Sequence, residues 1–190
     1  NDLLDSGLLN GNTLTCTGET LAEQVGRLSP KEPDGRVIYS VKKPYKETGG
    51  LRLLGGNLSP EFSSILKLAG VEGGLENNVF IGKARIFDGE QKLLWTLENE
   101  PESFNNNDMV VVRYEGPVGG PGMPEWGMIP IPKKLLKKGI RDMVRISDAR
   151  MSGTSYGACI LHVAPESYIG GPLSLLKTGD VVEIDVNKRS

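Results

Sequence analysis

Alternating and continuous apolar runs predict several strands in this chain. The run MVVVRY at 109–114 is apolar over four consecutive positions, which is typical of a strand buried on both faces. In VVEIDV at 181–186 acidic residues alternate with valine and isoleucine, which predicts a half-exposed strand. Weaker apolar patterns predict further strands at 37–41, 51–54, 78–87 and 142–146, with Gly82 as a bulge in the third of these.

Helical spacing and capping residues predict a smaller number of helices. ETLAEQVGR at 19–27 is a short amphipathic pattern, and KKLLKKG at 133–139 carries lysines around two leucines until Gly139 stops it. Ser59 and Pro60 form a typical helix start, which predicts a helix as far as Gly70. Two other helices are expected, the tail of one at 2–9 and another that Asp88 caps and that runs through Glu98.

These elements mix strands and helices without a regular βαβ alternation. We therefore expect an α+β domain with a mixed or antiparallel sheet, closed in the manner of a barrel, and one domain over 1–190. The 25 glycines and 12 prolines also favour a loop-rich, β-containing architecture over a helical one.

Charge, hydropathy and cysteine usage exclude several classes of function. The net charge is −2 and no basic block is interleaved with aromatics, so we expect no nucleic-acid partner. No apolar run approaches the ~20 residues of a membrane span. Cys16 and Cys159 belong to no CxxC or Cys/His cluster, so the chain should hold no zinc or iron–sulfur centre by itself. We expect a cytoplasmic setting, or an organelle matrix.

The glycine-rich loop EGPVGGPGMPEWG, residues 115–127, is the first candidate for binding chemistry. Its backbone amides could cradle a carboxylate or phosphate, but it lacks the spacing of a nucleotide-binding loop, so the residues alone favour a plain structural loop. Glu115 and Glu125 flank it, and either carboxylate could bind Mg²⁺ or simply be solvated.

The second candidate is the stretch SDARMSGTSYGACILHVAPES at 147–167. Ser152 lies in M-S-G-T, which is not the G-x-S-x-G nucleophile motif, and no catalytic triad can be assembled around it. His162 is the only histidine of the chain and lies in an apolar run, which favours a packed core residue over a catalyst.

The two strings YEGPVGGPGMPEWG and SDARMSGTSYGACILHVAPES together resemble the C-terminal domain of the dehydratase family that contains dihydroxyacid, 6-phosphogluconate and sugar-acid dehydratases. GNLSP at 56–60, GKARIFDGEQ at 82–91 and GGPLSLLKTGDVVEIDV at 170–186 extend the resemblance over nearly the whole chain. Within the family, the strings look more like the sugar-acid branch, with L-arabinonate dehydratase as the nearest type, than like the branched-chain biosynthetic branch.

The resemblance implies that this chain is the C-terminal, swivelling barrel-like domain, with flanking helices, of a two-domain hydro-lyase. The implied reaction removes water from a sugar acid to give a 2-keto-3-deoxy acid. In such an enzyme the N-terminal domain of the same polypeptide supplies three cysteines for a [2Fe–2S] cluster and most Mg²⁺ ligands. We therefore expect no cofactor on this chain alone, an inert isolated domain, and a dimer or tetramer of the full-length protein.

The resemblance also implies roles for individual residues. Ser152 would act as an alkoxide base, a role that needs nearby cations to lower the pKa of its hydroxyl drastically. The other implied roles are Thr154 beside the base, Gly153 and Tyr156 against the substrate, Glu125 as the first choice of Mg²⁺ ligand and Glu115 as the second. Two alternatives stay open: a dihydroxyacid dehydratase of branched-chain amino-acid biosynthesis, and a non-catalytic carboxylate-binding or interaction module.

Overall fold

A computed structural model describes residues 1–29, 33–47, 49–67, 77–120, 130–150 and 157–190. The chain divides into two compact units, Asn1–Gly49 and Gly50–Ser190. The described part of the first unit includes two short helices, α1 (Asp2–Asp5) and α2 (Leu21–Gly26). Thr20 caps α2 in a capping box with Glu23, which confirms the helix expected at 19–27.

The described residues of the second unit form seven strands and two α-helices. Its strands are β1 (Leu51–Leu54), β2 (Ser64–Lys67), β3 (Val79–Asp88), β4 (Asp108–Arg113), β5 (Arg145–Ser147), β6 (Cys159–Leu161) and β7 (Val181–Asp185). The helices are α3 (Glu90–Asn99) and α4 (Lys133–Lys137), and 3₁₀ turns lie at Pro60–Phe62, Pro101–Ser103, Ser167–Ile169 and Pro172–Leu175.

The seven strands form one sheet in the order β1-β2-β6-β5-β4-β3-β7, which curls into a half-barrel. The four central strands β6, β5, β4 and β3 are parallel to one another. The pairs β1–β2, β2–β6 and β3–β7 at the two sides are antiparallel. The predicted α+β fold with a mixed, barrel-like sheet is therefore confirmed.

The core lies on both faces of this sheet, which explains the unbroken apolar run of β4. Met109 and Val111 pack into one apolar cluster, whereas Val110 and Val112 pack into the other. The second cluster also contains Leu93 of α3 and Leu135 of α4, so the helices cover that face. A strand buried on both faces cannot alternate with polar residues, hence its sequence pattern.

The helix predicted from Ser59 to Gly70 is wrong over its described residues. Glu61 and Phe62 have φ values of 59° and 55°, a left-handed conformation in which an α-helix cannot continue. The chain then enters β2, which lies between β1 and β6 and pairs with both. A short apolar run does not by itself distinguish a helix from a strand. Here the hydrogen bonds of β2 to its two neighbouring strands stabilise the strand.

The strand predicted at 37–41 is also absent from the described residues. The Asp34 carboxylate accepts hydrogen bonds from the amides of Arg36, Val37 and Ile38, so this segment forms a turn around a side chain. These three bonds lower the pKa of Asp34. Val37 is 82% exposed, as a turn residue can be and a core strand residue cannot.

The remaining predicted elements differ mainly at their ends. The helix at 88–98 begins after Gly89, and the strand at 142–146 is β5, three residues further along. β6 was not predicted, because Cys159–Leu161 is too short to show a period. None of the helices in the described ranges is sufficiently long and apolar to cross a bilayer.

Candidate active site

The candidate residues follow the carboxyl ends of neighbouring parallel strands. Because β3, β4, β5 and β6 run in the same direction, their carboxyl ends meet at one edge of the sheet, called here the carboxyl edge. The glycine-rich loop leaves β4 there, the SDARMSGTSYG segment leaves β5, and the turn 162–167 leaves β6. Ligand sites of open α/β sheets characteristically form at such an edge.

Asp148 joins three of these segments. Its Oδ1 accepts a hydrogen bond from the amide of Glu115 at 3.0 Å, and its Oδ2 accepts bonds from the amides of Tyr114 at 3.2 Å and Ser167 at 2.8 Å. The residue is 1% exposed. A carboxylate buried to this degree must be compensated by donors, and here the backbone supplies them.

Glu166 holds the next part of the glycine-rich loop. Its Oε1 accepts a hydrogen bond from the Val118 amide at 2.7 Å, and its Oε2 accepts one from the Gly119 amide at 3.2 Å. A Cβ atom on Gly116 would lie 2.1 Å from Glu166 Oε2, so only glycine lets the loop approach this carboxylate. Glu166 is 5% exposed.

Two carboxylates of the protein itself thus accept the hydrogen bonds of the backbone amides in this loop. The amides of residues 114, 115, 118 and 119 already donate to Asp148 or Glu166, so this part of the loop cannot cradle an external carboxylate or phosphate. The structural interpretation of the loop holds for residues 115–120. Residues 121–127 lie outside the described part of the chain.

Glu115 is the one predicted metal ligand within the described residues. Its Oε1 accepts a hydrogen bond from the Glu90 amide at 2.9 Å, at the amino end of α3. The residue in the N-cap position, Gly89, has no side chain to offer, so Glu115 caps the helix from across the edge. One carboxylate oxygen of Glu115 is therefore already used for the fold, and its role toward Mg²⁺ stays a prediction.

A buried ion pair holds the far end of the SDARMSGTSYG segment. Arg145 Nη2 lies 3.4 Å from Asp142 Oδ1, and both side chains are at most 4% exposed. The Asp142 carboxylate also accepts hydrogen bonds from the Ala158 amide at 3.0 and 3.1 Å. A Cβ on Gly157, where φ is +78°, would meet Asp142 Oδ1 at 2.1 Å. The glycine is thus required at this return point.

His162 lies at the carboxyl edge, directly after β6. Its φ is 60°, its amide donates to Ala149 O at 2.9 Å, and it borders a cavity of about 350 Å³ together with Asp148 and Glu166. Burial lowers the pKa of the imidazole, which favours its neutral form near pH 7. The placement agrees with a half-buried residue, and the structural role expected for His162 stays a prediction.

The other predicted site residues, Ser152, Gly153, Thr154, Tyr156 and Glu125, lie outside the described residues. Among the residues that are described, no group of three or more His, Cys, Asp or Glu side chains is arranged to hold a metal ion. The sequence reasoning overlooked Asp148 and Glu166. Asp148 carried a usable signal, since an acid directly after a short apolar strand falls at the carboxyl edge of a parallel sheet.

The family comparison agrees with these observations. Residues 36–190 match the family model described as "Dihydroxy-acid/6-phosphogluconate dehydratase C-terminal". This chain belongs to that family. The family match covers the whole half-barrel unit, including the loops at the carboxyl edge.

Curated relatives give a more specific comparison. The chain is 42% identical over 189 residues to a dihydroxy-acid dehydratase of Acidothermus cellulolyticus, covering 99% of this chain and 32% of that protein. It is 43% identical over 188 residues to the dihydroxy-acid dehydratase of Mycobacterium tuberculosis, covering 98% and 31%. The chain therefore spans about a third of the length of these relatives, and the names refer to the longer proteins.

Proposed function

We propose that the full-length protein is a hydro-lyase that converts a 2,3-dihydroxy carboxylic acid into a 2-keto acid. The match of residues 36–190 to the dehydratase family carries this proposal. In the reaction a base removes the C2 proton, the C3 hydroxyl leaves as water, and the resulting enol tautomerises to the ketone. The chain contributes the carboxyl edge and its loops to that site.

The relatives favour a dihydroxy-acid substrate with a short carbon chain, as in branched-chain amino-acid biosynthesis, over the sugar acid first expected. Both relatives described above are named dihydroxy-acid dehydratases. A sugar acid is the second candidate, because SDARMSGTSYG at 147–157 resembles the sugar-acid branch. Both substrates present a carboxylate beside two vicinal hydroxyls, so the same chemistry serves either.

Ser152 is the proposed base, and the described residues at the two ends of its segment support this proposal. The segment leaves β5 at Asp148, on the carboxyl edge, and reaches Gly157 before β6, at the opposite edge of the parallel strands. Buried carboxylates hold both ends, Asp148 at the first and Asp142 at the second. A serine hydroxyl ionises only where cations stabilise the alkoxide. Thr154, Gly153 and Tyr156 belong to the same segment and are proposed to contact the substrate.

The residues of this chain suit Mg²⁺ better than a [2Fe–2S] cluster. The chain's two cysteines are too few for a [2Fe–2S] cluster, and one of them, Cys159, is buried in β6. A cluster therefore has to be supplied by other parts of the full-length protein, and we derive no step from it. For Mg²⁺ the carboxylates Glu125 and Glu115 are suitable ligands. Bound Mg²⁺ would stabilise negative charge on the substrate.

A non-catalytic carboxylate-binding module is less well supported. Such a module, suggested by the absence of cluster cysteines, would bind carboxylates with the backbone amides of the glycine-rich loop, but four of these amides bind the protein's own Asp148 and Glu166. The sugar acid and the dihydroxy acid thus remain the two candidates that experiment has to separate.

The test is a substrate panel with the full-length protein, purified without oxygen and with Mg²⁺. We expect 2-keto acid to form from 2,3-dihydroxyisovalerate. Turnover of aldonates alone would assign the sugar-acid branch, and no turnover of either class would refute the proposal. Ser152→Ala should reduce kcat by at least about a hundredfold, within the usual range for a proton-transfer group, while the neighbouring Ser155→Ala serves as the matched control.

A further inference from the structure

Two buried carboxylates at the carboxyl edge have no part in the proposed chemistry. Asp148 and Glu166 are 1% and 5% exposed, and the partners that the structure gives them are backbone amides. Keeping a carboxylate away from water is costly unless donors replace its hydration shell. Two such carboxylates bind one loop, which indicates that the protein holds this loop in a defined position.

Asp148 and Glu166 bind the two ends of the stretch 114–119. Asp148 takes the amides of Tyr114 and Glu115 as the chain leaves β4, and Glu166 takes those of Val118 and Gly119. Asp148 also binds the Ser167 amide, next to Glu166. The two acids therefore connect the ends of β4, β5 and β6 into one unit, called here the carboxylate clamp.

The clamp lies close in the chain to the residues proposed for chemistry. Glu125 follows Gly119 by six residues, and Ser152 follows Asp148 by four. The direction in which each segment leaves the clamp limits where these side chains can lie. In a preorganised site, an error of about 1 Å in the position of a catalytic group can cost roughly a hundredfold in rate.

We propose that Asp148 and Glu166 are positioning residues that fix residues 114–119, at the start of the glycine-rich loop, against the carboxyl ends of β5 and β6. The catalytic consequence of this inference rests on the proposed function. The clamp itself rests only on the hydrogen bonds and burial described above.

An isosteric amide is the sharpest perturbation of such a clamp. A carboxylate accepts with both oxygens, whereas Asn or Gln accepts with one and directs an NH₂ group at the other backbone N–H. Asp148→Asn and Glu166→Gln therefore keep the volume of the side chain, but each variant loses at least one hydrogen bond from a backbone amide. Glu166→Asp keeps the charge and should retain part of the activity that Glu166→Gln loses.

A matched control exists on another turn. Asp185 is 5% exposed and accepts hydrogen bonds from the amides of Asn187 and Lys188 at 3.0 Å each, after β7. It shares burial and backbone amide donors with the clamp acids, although it also pairs with Lys188 Nζ at 2.9 Å, and it belongs to a strand at the side of the sheet. Asp185→Asn should change exchange only around residues 187 and 188 and leave kcat unaltered.

Hydrogen exchange of the full-length protein, measured by mass spectrometry on peptides, tests the clamp directly. Asp148→Asn should accelerate exchange in a peptide covering 114–115 and in one covering 167, and Glu166→Gln in one covering 118–119, each by at least tenfold. In parallel, kcat per folded molecule should fall roughly a hundredfold for both variants on the best substrate of the panel.

Three results would overturn the inference: unchanged exchange at 114–119 in the variants, accelerated exchange with kcat unaltered, or an equal loss of kcat in Asp185→Asn. If both amide variants fail to fold, Gly116→Ala decides instead, since its Cβ displaces the Glu166 carboxylate without removing the charge. Gly26→Ala is its control, as nothing lies within 4 Å of a Cβ there. A wild-type protein without dehydratase activity would refute the proposed function and with it the catalytic role of the clamp, while its exchange pattern would still test the hydrogen bonds.

Discussion

Removing the Asp142 carboxylate should destabilise the half-barrel far more than removing an exposed carboxylate. Asp142→Ala deletes the ion-pair partner of Arg145, whose side chain is 4% exposed, and leaves the amides of Met143 and Ala158 without this acceptor. Breaking a buried ion pair by removing one partner typically costs about 3–5 kcal/mol. We expect a loss of unfolding free energy of about that size.

The measurement is the urea unfolding midpoint of the full-length protein and its variants. Glu102→Ala is the matched control, because Glu102 pairs with Lys134 at 3.5 Å but is 80% exposed. Exposed ion pairs contribute about 0–1 kcal/mol, so this control should change the midpoint little. Asp142→Asn should lie between the two, since its amide oxygen can still accept from the backbone.

A double variant separates the buried charge from the hydrogen bonds. Replacing a buried ion pair by apolar residues of similar volume is often neutral, so Asp142→Ala combined with Arg145→Met should recover part of the lost stability. An equal decrease of the midpoint in Asp142→Ala and Glu102→Ala would refute this prediction. So would a double variant whose loss of unfolding free energy exceeds the summed losses of its two single variants.

Two further predictions follow from side-chain burial. Burial raises the pKa of the Cys159 thiol, so iodoacetamide at pH 8 should label the exposed Cys16 in the native protein and Cys159 only in urea; equal native labelling would contradict this. Burial lowers the pKa of His162 in the folded state. The contribution of His162 to the free energy of unfolding should therefore be fully present above its unfolded pKa of about 6.5 and be lost as the pH falls through the lower folded pKa. Unfolding midpoints at pH 5 and 7.5 should thus differ less in His162→Gln than in the wild type.

The sequence predicts the fold best where a local pattern and the tertiary environment agree. The capping box of Thr20 and Glu23 and the apolar run of β4 are such cases. The helix expected after Ser59 is the opposite case, since its start signal is local while the pairing of β2 with β1 and β6 is not. β6 itself is three residues long and receives its identity only from its neighbours.

The candidate site shows a related limit. The glycines of the loop and the motif around Ser152 were visible in the sequence, because they are unusual in composition. The acceptors that bind the loop were not, since Asp148 and Glu166 lie 34 and 48 residues away in sequence from the amides of Tyr114 and Val118. Nothing in a single sequence states which amide a distant carboxylate will bind.

The parallel strand order explains why these distant residues meet. Four adjacent strands end at one edge, so the residue that follows each strand is brought beside the others whatever separates them along the chain. Loops at such an edge leave backbone amides unpaired where the ladders end. An acid placed directly after one strand can bind the amides that follow the next, as Asp148 does for Tyr114 and Glu115. The same geometry that stabilises the edge thereby fixes residues 114–119 beside Asp148 and Ser167.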